Sequence, residues 1–451
     1  MPLRSPRVLP GVPALPAVAL IAAAVAGACQ PPRADNLLFV SFDTTRADRL
    51  SLYGYQHPTS PNVDALAARG ATFRQAFSHV PSTLPAHATM FTGLLPPEHG
   101  VRCNGKFQLA GAHRTLAEIL AGAGFDTGAV LGAFPLDGRF GLAQGFAHYD
   151  ADFSGSALTA RRRARSPEAP ASWIGHRYAD FERGADEVTD RAIDWLRQRR
   201  GRWFLFAHYF DPHAPYEPAG DAGSFADPYD AEIAFADRHL GRLLEAVGEM
   251  PGRTLIVFTA DHGEGLGEHG EPFHNRFLFN STMRVPLVVV LDGAIAPATE
   301  VGVGVGQVDL LPTILDLLGL RPPAGLSGRS LAAALLAATE PLPRPIYGET
   351  LVWNLEVPQG LERRALLAGG HKLVLTELAA EGRVSRTFEL YDLAADPREL
   401  RDLAAADPSR RDRLAARLQA LADRLEEEAY EPVPFEMDEG TRERLRSLGY
   451  L

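Results

Sequence analysis

Four places in this chain bring together side chains that could do ester chemistry around a cation. The first is STLPAHATMFTG, residues 82–93, centred on Thr83. Hydroxyls at Ser82 and Thr83 precede Pro85 and His87, and Ala86, Met90 and Leu94 then fall on one helical face. A hydroxyl at a loop-to-helix junction lies beside free N–H groups and the positive end of the helix dipole, so an anionic group can sit against it. His87, one turn along, could reach the same anion. By itself Ser-Thr before Pro is also the pattern of a plain N-cap. The other three places are Asp43, Asp211 with His213, and Asp261 with His262, each just past an apolar run. Carboxylates and imidazoles that meet at one edge repel or stay unpaired unless a cation sits among them. The pattern therefore predicts a metal site.

The elements that must position these groups are legible as apolar runs. NLLFVSF (36–42), WFLFAHY (203–209) and TLIVFT (254–259) read as strands buried on both faces, and a fourth opens at Arg284 and runs through Val290. A shorter strand covers 127–131. Helices are predicted at 61–69, 115–123, 186–198, 229–247 and 307–318. Strands alternating with helices mean an α/β fold with a largely parallel sheet. In such sheets ligands bind outside the carboxyl ends of the strands, which is where Asp43, Asp211, His213, Asp261 and His262 fall. Beyond about residue 320 the texture changes. Prolines punctuate it, short strands at 346–348, 364–367, 372–376 and 387–391 predict a small antiparallel sheet, and Leu414, Leu418, Leu421 and Leu425 mark an amphipathic helix. Residues 154–176, with Arg161, Arg162, Arg163 and Arg165, read as a surface loop with a solvated basic face. Loops 132–176 and 217–228 are expected to wall the pocket.

The chain has 451 residues, 46% of them hydrophobic, enough for a large domain at 36–320 and a smaller one at 321–451. A net charge of -11 gives no footprint for nucleic acid, and two cysteines, Cys29 and Cys103, exclude a disulfide framework. Arg4 and Arg7 precede an apolar run at 14–26, followed by Gly27-Ala28-Cys29. Residues 1–29 therefore read as a signal peptide. Small residues directly before a cysteine resemble a bacterial lipobox, which would make Cys29 a lipidated first residue and residues 30–35 a tether. The expectation is an exported protein, periplasmic or an outer-membrane lipoprotein, touching membrane through that anchor alone.

Several ordered blocks resemble the sulfatase family of the alkaline phosphatase superfamily: FVSFDTTRADRLSLYGY (39–55), STLPAHATMFTG (82–93), DPHAPY (211–216), TADHGEGLGEHG (259–270), RVPLVV (284–289) and ELYDLAADPREL (389–400). The closing RLRSLGYL (444–451) is similar to one subgroup. The resemblance implies a large, mostly parallel mixed sheet between helices, a small C-terminal α+β subdomain, and metal-dependent hydrolysis of sulfate or phosphate esters. It also carries departures. The family's C/S-x-P-x-R motif, whose first residue is oxidised to formylglycine, has Thr83 and His87 in its first and last positions. Threonine cannot become formylglycine, so none is expected. A threonine ester cannot collapse by expelling sulfate from an aldehyde carbon; water must attack at sulfur or phosphorus, a route ordinary for phosphate esters. Superfamily relatives that use threonine are phosphodiesterases, pyrophosphatases and phosphoethanolamine transferases. The family's Asp-Asp pair is Asp43-Thr44 here, and its Gly-Lys pair is missing at 131–134.

The site implied is a divalent metal on Asp43, Asp261, His262 and Thr83, with Thr83 as nucleophile. His213 and His87 would steady equatorial oxygens or protonate the leaving group, and Asn104 and His274 would contact substrate. Asp211, His213 and His274 could hold a second metal. A histidine in the donor set favours Zn or Mn, whereas a plain sulfatase site favours Ca or Mg. The leading expectation is a hydrolase of phosphate mono- or diesters, or of sulfate esters, acting on a small-molecule, glycan or lipid substrate through a covalent Thr83 intermediate. The alternatives are a phospho-headgroup transferase of the cell envelope and a non-catalytic binding protein on a sulfatase scaffold.

Overall fold

The computed structural model describes residues 33–156, 181–217, 225–351, 360–380, 382–440 and 442. The expected signal peptide with Cys29, most of the arginine-rich loop, residues 218–224 of the second expected pocket wall and the closing 444–451 lie outside the described residues. Among the described residues no helix is long and apolar enough to cross a membrane.

An eight-stranded sheet carries the site. In chain order its strands are β1 (Asn36–Phe42), β2 (Ala71–Phe73), β3 (Asp126–Val130), β4 (His148–Asp150), β5 (Trp203–Tyr209), β6 (Thr254–Ala260), β7 (Leu287–Val290) and β8 (Thr299–Val301). They lie side by side as β8-β2-β7-β6-β1-β5-β3-β4. The five strands from β6 to β4 are mutually parallel, while β7 pairs antiparallel with both β6 and β2. The mixed, mostly parallel sheet expected from the sequence is therefore present. The strand predicted through Arg284 and Val290 is broken. Pro286 has no N–H to give a ladder, so Arg284–Val285 pairs with Ala76–Phe77 in a separate small sheet and β7 starts only at Leu287.

Helices cover both faces. On one side Leu38, Val40, Phe42, Leu205, Ala207 and Tyr209 pack under α1 (Pro61–Ala67), α4 (Ala185–Arg197) and α5 (Pro228–Gly248). On the other, Leu37, Phe39, Phe204 and Phe206 pack under α2 (Thr83–Thr92), α3 (Leu116–Gly122) and α6 (Leu310–Leu317). Burial on both faces is why β1 and β5 read as unbroken apolar runs. Phe91 of α2 meets Phe39 and Phe206 edge-on at 5.7 and 4.9 Å. Such pairs add about 0.5–1.5 kcal/mol beyond area burial and fix α2 over the carboxyl halves of β1 and β5. A reciprocal capping pair heads α3: Glu118 N–H donates to Thr115 Oγ1 at 3.1 Å and Thr115 N–H to Glu118 Oε2 at 2.9 Å.

A second, antiparallel sheet follows, β9 (Ile346–Leu351), β10 (Leu361–Ala368), β11 (His371–Ala380) and β12 (Arg383–Asp392), in sequential order. Its strands run longer than predicted, because cross-strand pairs hold polar ends that show no apolar pattern. The amphipathic helix is α7 (Pro408–Glu427), whose Leu414, Leu418 and Leu425 pack on Leu366, Leu373 and Leu390. The described residues from Arg33 onward form one compact unit.

Candidate active site

Register brings the carboxylates together. Phe42 of β1 is level with Tyr209 of β5 and Ala260 of β6. The next residues, Asp43 and Asp261, therefore leave neighbouring strands at the same height. Gln307 Nε2 donates to the carbonyls of Ala260 and Asp261 at 2.7 and 2.8 Å and ties down the second loop. Asp261 Oδ1 accepts N–H groups from His262 at 2.8 Å and Thr44 at 3.1 Å. That leaves Asp261 Oδ2 buried without a partner, and Asp43 Oδ1 is in the same condition. His262 Nδ1 lies 2.9 Å from the Gly263 carbonyl, which can only accept, so Nδ1 carries the proton and Nε2 is a bare donor atom 3.5 Å from Asp261 Oδ2. The ligand atoms of Asp43, Asp261 and His262 lie within 4.8 Å of one another. Two orphaned carboxylate oxygens and an imidazole lone pair on residues gathered this closely fit a divalent metal ion.

Electrostatics agree. Burial pushes Asp43 up to about 7 and raises Asp261 as well, with the neighbouring carboxylate adding to the shift in Asp261. For His262 burial opposes charge, yet Asp261 and Asp43 outweigh it and its pKa rises. A site whose acids resist ionisation and whose base seeks a proton lacks positive charge, which is what a metal supplies.

Thr83, the expected nucleophile, lies at the head of α2. Ser82 occupies the N-cap position with extended backbone (φ -156°, ψ 134°) and makes no side-chain cap bond, so plain capping does not explain the hydroxyl pair. Thr83 is the first residue of α2 and fully buried. Its Oγ1 lies 3.5 Å from both Asp43 Oδ2 and His262 Nε2. Asn104 is beside it: Oδ1 accepts the Leu84 N–H at 2.8 Å, which turns Nδ2 away as a buried donor with no protein partner.

His87 is placed differently from the expectation. It sits behind the nucleophile, with Nδ1 donating to the Thr83 carbonyl at 2.8 Å and Nε2 accepting from Ser41 Oγ at 3.1 Å. Burial lowers its pKa to about 3, so it is a neutral structural imidazole. His87, His208 and Asp261 form a second triad within 4.8 Å, but the nitrogens of His87 are already spoken for, and the orphaned oxygens favour the Asp43 triad as the metal site.

His213 and His274 stand together in front. Their ring centroids are 5.2 Å apart, and His274 lies 4.6 Å from His262. His213 stacks on Phe210 at 4.3 Å, and its Nδ1 donates to the Ala214 carbonyl at 2.6 Å. His274 Nδ1 is 3.0 Å from Glu264 Oε1, and Tyr216 donates to Glu264 Oε2 at 2.9 Å. Burial pushes Glu264 up to about 8. Asp211 does other work: its Oδ1 accepts the Ala185 N–H at 3.0 Å at the head of α4. Among the described residues Asp211, His213 and His274 do not form a triad within ligand distance, so the second-metal set is not drawn together here.

Two residues at the site, His208 and Arg46, went unread in the sequence, and Thr44 was read only as a departure from the Asp-Asp pair. His208 Nε2 lies 3.1 Å from Asp43 Oδ2. Thr44 holds a left-handed backbone, φ 49°, unusual for a β-branched residue, with its hydroxyl buried and unpartnered. Arg46 binds the Glu264 carbonyl at 3.2 Å and pairs with Asp48 and Glu268. His208 was hidden inside an apolar strand run, and the other two depend on loop geometry.

Comparison with known proteins places this geometry. Residues 35–320 match the family described as Sulfatase, and 267–428 match N-sulphoglucosamine sulphohydrolase, C-terminal. The chain is similar to the uncharacterized sulfatase YidJ of Escherichia coli strain K12, 27% identical over 431 residues and 82% of each chain. It is also similar to N-acetylgalactosamine-6-sulfatase of Sus scrofa, 28% identical over 378 residues, covering 73% of this chain and 71% of that one. Among solved structures it superposes on a protein in complex with its substrate D-glucosamine-2-N,6-O-disulfate (TM-score 0.71, 20% identity, 88% and 99% covered). It also superposes on the phosphonate monoester hydrolase of Agrobacterium radiobacter (TM-score 0.67, 24% identity, 88% and 96% covered). With more than half its length matched, the chain belongs to the metal-dependent sulfatase family of the alkaline phosphatase superfamily and is an ester hydrolase.

Proposed function

We propose that this protein hydrolyses phosphate mono- or diesters through a covalent ester on Thr83, with a single Zn or Mn ion on Asp43, Asp261, His262 and Thr83. The observation that carries the proposal is the Thr83 hydroxyl at a helix N-terminus, 3.5 Å from both Asp43 Oδ2 and His262 Nε2. When bound, a divalent ion lowers the pKa of the hydroxyl and polarises the ester oxygen. Thr83 Oγ1 attacks phosphorus in line; its O–P bond forms as the bond to the leaving oxygen breaks. Asn104 Nδ2 and the N–H groups at the head of α2 donate to the non-bridging oxygens. His274, oriented by Glu264, and His213 beside it stand for the leaving group. Water then attacks phosphorus and releases Thr83. His262 in the donor set supports Zn or Mn over Ca. Thr83 supports phosphate over sulfate because it has no aldehyde hydrate to collapse. Sulfate-ester cleavage is the second reading, favoured by the sulfatase relatives. Sugar-directed relatives support a glycan or small-molecule ester, and the 14–29 segment supports export with a lipid on Cys29.

The test is hydrolysis of an aryl sulfate, an aryl phosphate and an aryl phosphodiester with added Mn, Zn, Ca or Mg, with Thr83→Ala beside wild type. Phosphate-ester cleavage is expected, falling by about 10³-fold or more in the variant. Sulfate cleavage that survives Thr83→Ala would overturn the reading.

A further inference from the structure

We propose that His208 is a positioning residue that fixes the Asp43 carboxylate for metal binding, by donating its Nε2–H to Oδ2 and thereby aiming Oδ1 at the ion. This rests on the metal site proposed above and adds a residue to it.

The starting observation is an oddity of sequence. β5 is WFLFAHY, fully buried, and His208 is its one strongly polar side chain. It is fully inaccessible to solvent. A phenylalanine would pack among Phe206, Phe210 and His87, the rings around it, without desolvation cost. Burying an imidazole there has a definite cost, because its Nδ1 has no hydrogen-bond partner among the described residues. A buried, unsatisfied polar atom typically costs about 1–3 kcal/mol. Natural cores avoid such atoms unless the group does something else.

What it does is read from the register. His208 is level with Ser41 on β1. Alternation along a strand puts Ser41 and Asp43 on one face, the face covered by α2. His208 Nε2 is 3.1 Å from Asp43 Oδ2, the same oxygen that Thr83 Oγ1 meets at 3.5 Å. An ionised carboxylate only accepts, so Nε2 carries the proton and Nδ1 is left bare. With Oδ2 tied to His208, the other oxygen, Oδ1, is the buried atom without a protein partner. The carboxylate cannot swing, and the entropy of orienting it is lost on folding and not on binding metal. Outer partners of this kind are commonly worth 10–100-fold in metal affinity.

Three variants separate positioning from packing. His208→Phe keeps the volume and removes the donor. His208→Gln places its amide nitrogen near the position of Nε2. His208→Asn places it near Nδ1, too short to reach Oδ2. Mn and Zn affinity is measured by competition with a fluorescent chelator, and Tm is measured on the metal-free proteins. His208→Phe and His208→Asn are expected to bind metal about 10–100-fold more weakly. His208→Gln is expected to stay within about threefold of wild type, and metal-free His208→Phe to stay folded, since losing the orphaned Nδ1 offsets part of the cost of leaving Asp43 Oδ2 without its donor. A merely structural role would lower the Tm of all three and leave affinity in step with folding. Wild-type affinity in a folded His208→Phe overturns the inference and leaves the metal site standing. Gln binding as weakly as Phe also overturns it. Absence of metal binding by wild type overturns both this inference and the reading beneath it.

Discussion

Glu264 and Asp43 make the metal-free protein sensitive to alkali. Burial holds their folded-state pKa values at about 8 and about 7, while in the unfolded chain both acids titrate near 4. The folded state therefore binds more protons than the unfolded state, and stability falls as pH rises until the folded values are passed. Below pH 6.5 buried histidines such as His87 and His208, lowered to about 3 and 4, act with the opposite sign. They favour folding as the unfolded chain's imidazoles lose protons. Above that the acids dominate. Urea unfolding in chelator should show stability declining from pH 7 to 8.5, with a slope of up to about 1.4 kcal/mol per pH unit for each proton involved. Glu264→Gln should flatten the slope, and Mn or Zn should restore most stability at the alkaline end. A metal-free slope identical in wild type and Glu264→Gln would show that Glu264 does not keep its proton. At this scale the sequence was readable wherever a residue type was chemically unusual at a strand end, as at Asp43, Asp261 and His262, or at a helix start, as at Thr83. His87 was legible as a polar residue but not as one facing inward, since a helical spacing gives a face and not a neighbour.

At the scale of elements, the site is made by where strands stop. β1 and β6 end level, and their next residues, Asp43 and Asp261, meet in the candidate metal group. The loop after β6 must then turn at once beneath the segment near residue 281. Gly263 permits this: a Cβ there would lie 2.0 Å from the Ser281 carbonyl oxygen. Gly263→Ala should therefore push the two loops apart, destabilise by about 1–3 kcal/mol, and weaken metal binding through its neighbour His262. Urea unfolding and chelator competition measure the two effects, and a variant unchanged in both would remove this close approach from the account. Strand and helix positions were largely readable because burial on both faces leaves apolar runs. The direction of β7 was not, because a short apolar run is the same in either sense. Its late start at Leu287 follows from Pro286, a signal present in the sequence that the apolar pattern outweighed.

Over the whole molecule, the second sheet is anchored to the loops that carry the site. Lys372 on β11 is fully buried, pairs with Glu399 at 2.5 Å, and donates to the Leu278 carbonyl and Asn280 Oδ1 at 2.8 and 3.0 Å. Glu399 in turn accepts the Asn280 N–H at 2.6 Å. Arg102 and Glu349 add a two-pronged bond at 2.8 Å between the segment after α2 and β9. Breaking a buried pair from one side costs about 3–5 kcal/mol, because the other charge is stranded. Lys372→Met should lose that much stability. Arg386→Ala, which removes a half-exposed contact to Glu377 at 2.7 Å, should lose less than about 1 kcal/mol. Denaturant unfolding of the two variants decides this, and equal losses would contradict the burial argument.

The sequence by itself determined the inventory: which runs are strands, which residues stand at their ends, and that a hydroxyl heads a helix. Local chemistry and periodicity carry that information, because burial and backbone geometry act on neighbours in the chain. The tertiary structure decided the assignments. Asp43 and Asp261 are separated by more than two hundred residues and come within ligand distance of one ion through the parallel register of β1 and β6. His208 becomes a partner of Asp43 because it falls level with Ser41. His87 becomes a brace because α2 turns it toward β1, and Asp211 becomes a cap because α4 begins above it. Register and helix rotation are set by packing many residues at once, and no single stretch of sequence encodes them.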